Sequence, residues 1–291
     1  MSASRFWELS VGAPEEISEG LTNFVWELGA LGVVEEEVAG ASRLRAFFSV
    51  AANASALAAG LRDYLEALRA LGFIVPDDAR LAPVVDPGWA EAWRAHFQPR
   101  PVGDRLLIAP PWDAPRVAGR LTIVIEPGRA FGTGQHGSTV GCLELLERIV
   151  EGRRPPRALD LGTGSGILAI AAARLGLSHV LAIDDDPDAV ANARANVALN
   201  GVTTSVTCTP GDAATLEVEP APLVLANILA AAHVRLARVY GGLVAPGGTL
   251  VLGGVLDAEA DNTAEAVERA GFARRSTLIC DGWAALELIG H

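Results

Sequence analysis

The stretch of sequence that most constrains the fold is RALDLGTGSGI, residues 157–167. An apolar segment ending at Leu161 is typical of a buried strand, and the Ala- and Leu-rich segment 167–175 is typical of a helix. The turn between them contains three glycines at alternate positions, Gly162, Gly164 and Gly166. Because glycine has no side chain, a flat ligand can lie against the bare backbone of this turn. The stretch predicts a strand–turn–helix unit that binds a ligand at its turn.

The glycine spacing disagrees with the fingerprint of dinucleotide-binding folds. In that fingerprint a third glycine lies three residues after the second, where it lets the helix pack closely on the strand. Ile167 occupies this position and is too bulky for such an approach. A nicotinamide-dependent oxidoreductase would use the same sheet edge, so the turn disfavours this alternative without removing it.

The remainder of residues 102–291 alternates between strands and helices. We predict further strands at 179–184, 205–209, 222–227 and 248–252, and helices at 187–200 and 257–270. Asp186 is placed to cap the first of these helices, with Pro187 at its first position. Segments 276–280 and 283–289 flank an Asp281-Gly282 turn, which is a hairpin signal. The pattern predicts a mostly parallel sheet closed by an antiparallel hairpin, which a plain dinucleotide-binding fold lacks.

The N-terminal part of the chain predicts a small α+β unit. Strands are expected at 7–11, 32–36, 44–50 and 73–75, and helices at 15–28 and 55–71. The order strand–helix–strand–strand–helix–strand is that of a ferredoxin-like module. We therefore divide the chain into a domain of residues 1–78, a linker of residues 79–101 and a domain of residues 102–291.

The predicted linker is rich in aromatic residues. Trp89, Trp93 and Phe97 recur every four residues, which places them on one face of a short helix. Such a face either packs between the domains or contacts a substrate. The sequence leaves both possibilities open.

Composition excludes several classes of protein. The chain has 35 acidic residues against 23 lysines and arginines, for a net charge of -12, so we expect no non-specific binding of nucleic acid. An acidic surface suits a basic protein partner, although plain solvation explains it equally. The chain has no lysine, so all 23 of these basic residues are arginines. The absence of lysine excludes a Walker-type nucleotide site and a Schiff-base lysine.

Compartment and metal content are also constrained. Three scattered cysteines form neither a disulfide framework nor a metal-ligand spacing, so no metal is expected. The first residues lack the apolar core of a signal peptide, and no apolar run reaches about 18 residues. We therefore expect a cytoplasmic protein that makes no membrane contact.

Two carboxylates follow predicted strands. Asp184 ends the second strand of the sheet, where its carboxylate can accept both hydroxyls of a ribose. The alternative is a helix cap, because Asp184, Asp185 and Asp186 are consecutive. Asp212 follows the third strand and either faces an adenine edge or belongs to a Gly211-Asp212 turn.

Two further features are candidates for the chemistry. Asn227 ends the fourth strand, where its amide oxygen either holds a substrate amine or caps the following helix. Residues 126–139, EPGRAFGTGQHGST, form a glycine-rich loop before a helix. In it Phe131 can cover a cofactor, and the helix N-terminus with Ser138 and Thr139 can bind a carboxylate. A plain structural turn would also account for this loop.

With these motifs in place, the chain resembles the ribosomal protein L-eleven methyltransferases (PrmA family) over nearly its whole length. The glycine turn itself resembles motif I of the class I S-adenosylmethionine-dependent methyltransferases. The resemblance is carried by Trp89, Trp93, Phe97 and Pro99, by segments 103–112, 160–170 and 183–187, by the Phe131 loop, and by LANIL at 225–229.

This resemblance implies an α/β class I methyltransferase fold (Rossmann-like, seven-stranded, with the terminal hairpin) behind a small N-terminal ferredoxin-like domain. It implies S-adenosylmethionine as cofactor, with S-adenosylhomocysteine as product. Its substrate would be amino groups of ribosomal protein L-eleven, free or on the large subunit, recognised by the first domain. The expected contacts to the cofactor are Thr139, Gly162, Asp184 and Asn227, together with Phe131, Gly164 and Asp212, and Asn227 would orient the amine as the catalytic residue.

The chain departs from the family at two points. It has Gln135-His136-Gly137-Ser138-Thr139 where the family usually has Thr-His-Pro-Thr-Thr, and Thr163 where a cysteine is common. Gly137 should loosen the loop, since proline would fix φ. His136 either assists loss of a proton or packs in the loop. Two alternatives stay open: a relative that methylates lysines of another protein, such as the electron-transfer flavoprotein enzymes, and a non-catalytic protein-binding module.

Overall fold

The computed structural model describes residues 5–38, 41–70, 72–85, 97–126, 134, 136–153 and 155–291. The chain divides into two compact units, Met1–His96 and Phe97–His291. This division lies inside the predicted linker. Of the linker aromatics, Trp89 and Trp93 lie outside the described residues.

The first unit has the predicted ferredoxin-like order. Its elements are β1 (Arg5–Gly12), α1 (Glu15–Glu27), β2 (Gly32–Val38), β3 (Ala41–Ser49), α2 (Ala54–Ala70) and β4 (Arg80–Val85). The strands form an antiparallel sheet in the order β2-β3-β1-β4. Leu57, Leu61 and Leu65 recur every four residues along α2 and are buried in the same core as Leu9 of β1. Both helices contribute to this core, so they cover one face of the sheet.

The last strand of this unit is not where we predicted it. Residues 73–75 form no strand, and Ile74 is 80% exposed. The strand is β4, which pairs with β1 and therefore belongs to the first unit, although the sequence analysis assigned it to the linker. The apolar triplet was misleading because tertiary contacts decide the pairing: Asp78 accepts the backbone N–H of Gly12 at 2.9 Å and fixes the turn into β4. Pro83 within β4 argued against a strand there, because proline is tolerated in a sheet only at an edge. β4 is an edge strand of this sheet.

The second unit begins with a small sheet that the sequence analysis did not predict. It consists of β5 (Arg100–Val102), β6 (Leu106–Ala109) and β7 (Leu121–Val124), in that order. These strands have only three or four residues each, too few for an alternating pattern to stand out. Helix α3 (Gly137–Arg153) follows them.

The large sheet of the second unit confirms the predicted architecture. Its strands and helices are β8 (Arg157–Leu161), α4 (Ile167–Arg174), β9 (His179–Asp184), α5 (Pro187–Leu199), β10 (Val206–Pro210), β11 (Ala221–Asn227), α6 (Ala230–Leu243), β12 (Val244–Leu256), α7 (Ala260–Glu268), β13 (Phe272–Cys280) and β14 (Trp283–Gly290). The strand order is β10-β9-β8-β11-β12-β14-β13, and the last two strands form the antiparallel hairpin. Asp281 and Gly282 have φ values of 49° and 78°, as the hairpin signal requires.

Helices cover both faces of this sheet. Residues of α3, α4 and α5 pack in one apolar core, and residues of α6 and α7 pack in the other. The strand order reverses between β8 and β11, so a crevice opens at their carboxyl ends, where parallel sheets bind ligands. Among the described residues no helix has the length and apolarity needed to cross a membrane.

Candidate active site

The glycine turn lies between β8 and α4, at the point where the strand order reverses. Gly162, Gly164 and Gly166 have φ values of 66°, 54° and 82°, a region that side-chain-bearing residues rarely adopt. A Cβ atom on Gly162 would lie 2.5 Å from Cγ2 of Ile228. The turn therefore needs glycine for its backbone conformation and for its contact with the end of β11.

A buried carboxylate holds the turn in place. Asp160 is 1% exposed and accepts the hydroxyl of Thr163 at 2.6 Å and the backbone N–H of Ala169 at 3.1 Å. Burial raises the pKa of Asp160 to about 6, and the negative charge of Asp184 raises it further, while its two hydrogen bonds lower it. The sequence analysis assigned no role to this residue. Its signal was a charged residue inside an otherwise apolar strand.

Asp184 contacts the same turn from the end of β9. Its Oδ2 accepts the backbone N–H of Gly164 at 2.8 Å, and its Oδ1 accepts the backbone N–H of Asp186 at 3.1 Å. The cap of α5 is Asp186, which accepts the N–H of Asp188 at 2.8 Å, so helix capping does not account for Asp184. Each carboxylate oxygen has a second lone pair, and the side chain is half-exposed, so Asp184 can still accept hydroxyl groups.

Asp212 lies in the loop next to Asp184. The N–H of Gly211 donates to the carbonyl of Asp184 at 2.9 Å, which ties this loop to the end of β9. Oδ1 of Asp212 accepts the N–H of Ala214 at 2.8 Å, so the turn role is present. The residue is exposed, which leaves its second oxygen accessible to a ligand, and contact with adenine stays a prediction.

Asn227 ends β11 and faces α3. Its Nδ2 donates to Oγ1 of Thr139 at 3.2 Å, and Thr139 is fully buried. Its Oδ1 is buried, and no donor from the described part of the chain reaches it. The cap of α6 is Leu229, whose side chain makes no capping hydrogen bond, so the helix-cap interpretation of Asn227 is wrong. A buried acceptor without a donor is costly, which points to a ligand group that supplies one.

The N-terminus of α3 packs against the terminal hairpin. Nδ1 of His136 lies 2.8 Å from Oγ of Ser138, and the His136 ring meets the ring of Trp283 edge-on at 4.5 Å. Burial lowers the pKa of His136. Its position against the hairpin agrees with packing in the loop rather than with assistance in proton loss. A Cβ on Gly137 would lie 2.5 Å from the carbonyl oxygen of Cys280, so this glycine permits a close contact that we did not predict. Phe131 lies outside the described residues.

A buried asparagine that the sequence analysis missed joins two parts of the site. Asn196 of α5 is 1% exposed; its Nδ2 donates to the carbonyl of Ser165 at 2.9 Å, and its Oδ1 accepts the N–H of Glu126 at 3.0 Å. It therefore connects the glycine turn to the segment that leads into the Phe131 loop. The only sequence signal is Asn196 and Asn200 at helical spacing, which does not by itself indicate burial.

Taken together, the described residues form a site at the carboxyl ends of the strands. It consists of a glycine turn without side chains, carboxylate acceptors and an amide oxygen that lacks a hydrogen-bond donor. Hydrogen-bonded contacts join Gly164 to Asp184 and Thr139 to Asn227. Such an edge suits a ligand with hydroxyl donors and a positive charge. Within the described ranges, no group of three or more His, Cys, Asp or Glu side chains could hold a metal ion.

Known proteins are similar to the chain over most of its length. The family described as "Ribosomal protein L11 methyltransferase (PrmA)" matches residues 5–289. A protein of Trichlorobacter lovleyi with the name ribosomal protein L11 methyltransferase is 38% identical over 288 residues, which cover 93% of this chain and 92% of that protein. A protein of the same name from Geobacter sulfurreducens is 47% identical over 192 residues, 65% of this chain and 61% of that protein.

A solved structure shares the fold. The crystal structure of ribosomal protein L11 methylase from Lactobacillus delbrueckii subsp. bulgaricus aligns with a TM-score of 0.60 and 28% sequence identity. The alignment covers 67% of this chain and 100% of that chain.

Proposed function

Because the chain belongs to the ribosomal protein L11 methyltransferase (PrmA) family, we propose that it transfers methyl groups from S-adenosylmethionine to amino groups of ribosomal protein L11. The amines are the ε-amino groups of lysines, the N-terminal α-amino group, or both. The observation that carries the proposal is the buried Oδ1 of Asn227, an acceptor at the sheet edge that no described donor satisfies. An amine nitrogen supplies such a donor.

The residues at this edge fit the cofactor. The backbone of Gly162 and Gly164 is bare, and the free lone pairs of Asp184 suit the two hydroxyls of a ribose. Asp212 would face the adenine, and Thr139 and Asn227 would lie toward the methionine part. When bound, S-adenosylmethionine supplies a sulfonium methyl group, which a neutral amine displaces to leave S-adenosylhomocysteine.

The chain's own contribution would be positioning. Thr139 accepts from Nδ2 of Asn227 and so holds the carboxamide, whose Oδ1 would accept one N–H of the amine and orient the nitrogen lone pair. The amine must be neutral to react, and desolvation in a closed site lowers its pKa. His136 packs against Trp283, so we assign it no proton transfer and expect the proton to leave to water.

We place recognition of the protein substrate in the first unit. Successive residues of a strand point to opposite faces, so Glu8 of β1 lies on the sheet face away from the buried Leu9. There Arg45 pairs with Glu8 at 2.8 Å, and Arg43 pairs with Asp78. A face lined by charges of both signs suits a polar protein surface. The proposed substrate is L11, free or on the large subunit, and a ribosomal substrate would place the reaction in the cytoplasm.

The test is mass spectrometry of L11 after incubation with the protein and S-adenosylmethionine, with Asn227→Ala as the variant. Asn262→Ala is the matched control, because Asn262 is an exposed residue of α7. We expect mass gains in steps of one methyl group with the wild type and the control, and a much slower gain with Asn227→Ala. Equal rates for all three would refute the role of Asn227. A gain in mass on another protein and none on L11 would support methyl transfer but show that L11 is not the substrate.

A further inference from the structure

A fully buried histidine lies behind the site in a hydrogen-bonded chain. His233 of α6 is 0% exposed, with Nδ1 at 2.8 Å from the hydroxyl of Tyr240 and Nε2 at 2.8 Å from the carbonyl oxygen of Gly253. Tyr240 is also 0% exposed. Neither side chain has a part in the reaction described above, yet burying two polar groups requires that each be satisfied.

The partners determine the proton positions. A carbonyl oxygen only accepts, so Nε2 of His233 carries the hydrogen and donates to Gly253; Nδ1 then accepts from the hydroxyl of Tyr240. Burial lowers the pKa of His233 to about 4, against the opposing effect of the carbonyls of Gly253 and Ile228. The histidine is therefore a neutral, fixed donor at ordinary pH.

The carbonyl that His233 holds belongs to an irregular part of β12. The pairing of β12 with β14 shifts register between Leu252 and Val255, and Gly254 has φ of 73°. A bulge of this kind removes regular ladder hydrogen bonds, so its backbone groups need other partners. His233 supplies the partner for Gly253.

This bulge forms the wall next to Asn227. Gly253 is the register partner of Asn227 in the parallel pairing of β11 and β12. A Cβ on Gly253 would lie 2.8 Å from Oδ1 of Asn227 and 2.3 Å from Sγ of Cys142. A Cβ on Gly254 would lie 2.3 Å from the carbonyl oxygen of Ile228. The backbone of the bulge thus limits the space around Oδ1 of Asn227, the oxygen that lacks a hydrogen-bond donor.

We propose that His233 is a positioning residue for methyl transfer, which acts through Gly253 to fix the wall beside the carboxamide of Asn227. The inference rests on the proposed function, since Asn227 is the residue it serves. Among the described residues, the polar partners of His233 are Tyr240 and the backbone carbonyls of Gly253 and Ile228, and none of these is the glycine turn or Asp184, so its effect should be larger in the chemical step than in cofactor affinity.

The experiment compares His233→Leu, which removes the donor, with His233→Gln, whose side-chain amide can still donate to Gly253. For His233→Leu we expect kcat for methylation of L11 to fall roughly 10- to 100-fold, as misplacement by about 1 Å can cause. Its affinity for S-adenosylhomocysteine should stay within about twofold of wild type, and His233→Gln should recover most of kcat. Val267→Ala, a buried change in the same core, is the control for general destabilisation and should leave kcat unchanged.

A folded His233→Leu variant with wild-type kcat would overturn the inference, as would equal losses in His233→Leu and His233→Gln. If His233→Leu does not fold, Tyr240→Phe replaces it, because it removes the donor to Nδ1 and should lower kcat without changing cofactor affinity. If the wild type methylates nothing, the proposed function has failed instead. The NMR signals of the Asn227 side-chain amide then decide: a shift in His233→Leu that His233→Gln reverses supports the positioning, and unshifted signals reject it.

Discussion

Replacing Asp184 by alanine should weaken the binding of S-adenosylhomocysteine without unfolding the protein. Asp184 has two oxygens at the sheet edge, each of which accepts one backbone N–H and has a lone pair left for a ribose hydroxyl. Hydrogen bonds to a charged group contribute about 1.5–3 kcal/mol each when measured by deletion. Because Asp184 is half-exposed, water replaces part of what is lost, and we expect a total loss of about 1–3 kcal/mol, or roughly 5- to 150-fold in Kd.

Isothermal titration calorimetry measures this directly. Asp185→Ala is the matched control, because Asp185 is the next carboxylate along the chain and is exposed. Asp184→Asn should not rescue binding, since one oxygen becomes an N–H group that faces the backbone N–H of Gly164 or Asp186. If Asp184→Ala binds S-adenosylhomocysteine as tightly as the wild type, Asp184 does not hold the ribose and its assignment to the cofactor site is wrong.

Three further predictions concern the turn, the buried titratable groups and the units. Gly162→Ala forces a side chain into a left-handed conformation against Ile228, and should cost about 1–3 kcal/mol in urea unfolding and weaken cofactor binding; an unaffected variant would show that the turn can move. Because the pKa of His233 is lowered to about 4, the protein should lose about 3 kcal/mol of folding stability as pH falls from 6.5 to 4. Because the pKa of Asp160 is raised to about 6, the protein should gain a similar amount as pH falls from 6 to 3.8. The two effects oppose each other, so Asp160→Asn should steepen the loss of stability on acidification, and an unchanged slope between pH 7 and pH 4 would contradict the assignment. Removing Met1–His96 should leave cofactor affinity intact and abolish methylation of L11, and retained methylation would refute recognition by the first unit.

Local sequence signals identified most of the second unit. The glycine turn, the Asp186-Pro187 helix start and the Asp281-Gly282 hairpin each depend on backbone conformations that few residues adopt, so they could be predicted from neighbouring residues alone. The seven-stranded order, by contrast, depended on the family resemblance. Propensity along the chain does not state which strands pair.

The failures share one physical cause, which is that distant contacts decide the outcome. Residues 73–75 are as apolar as a strand, yet β4 is the segment that pairs with β1. Asn196 and His233 are ordinary helix residues in the sequence, and only the fold shows that each holds a backbone group beside the site. The open oxygen of Asn227 is likewise a property of burial, which no local pattern encodes.

Methylation of purified L11 tests the central claim most directly. Because the chain contains no lysine, methyl-lysine found in the reaction must come from the partner and not from the enzyme itself. We predict mass gains in steps of one methyl group on L11 that require S-adenosylmethionine and are strongly reduced by Asn227→Ala. L11 that keeps its original mass, with a wild-type protein that still binds S-adenosylhomocysteine, would contradict the account.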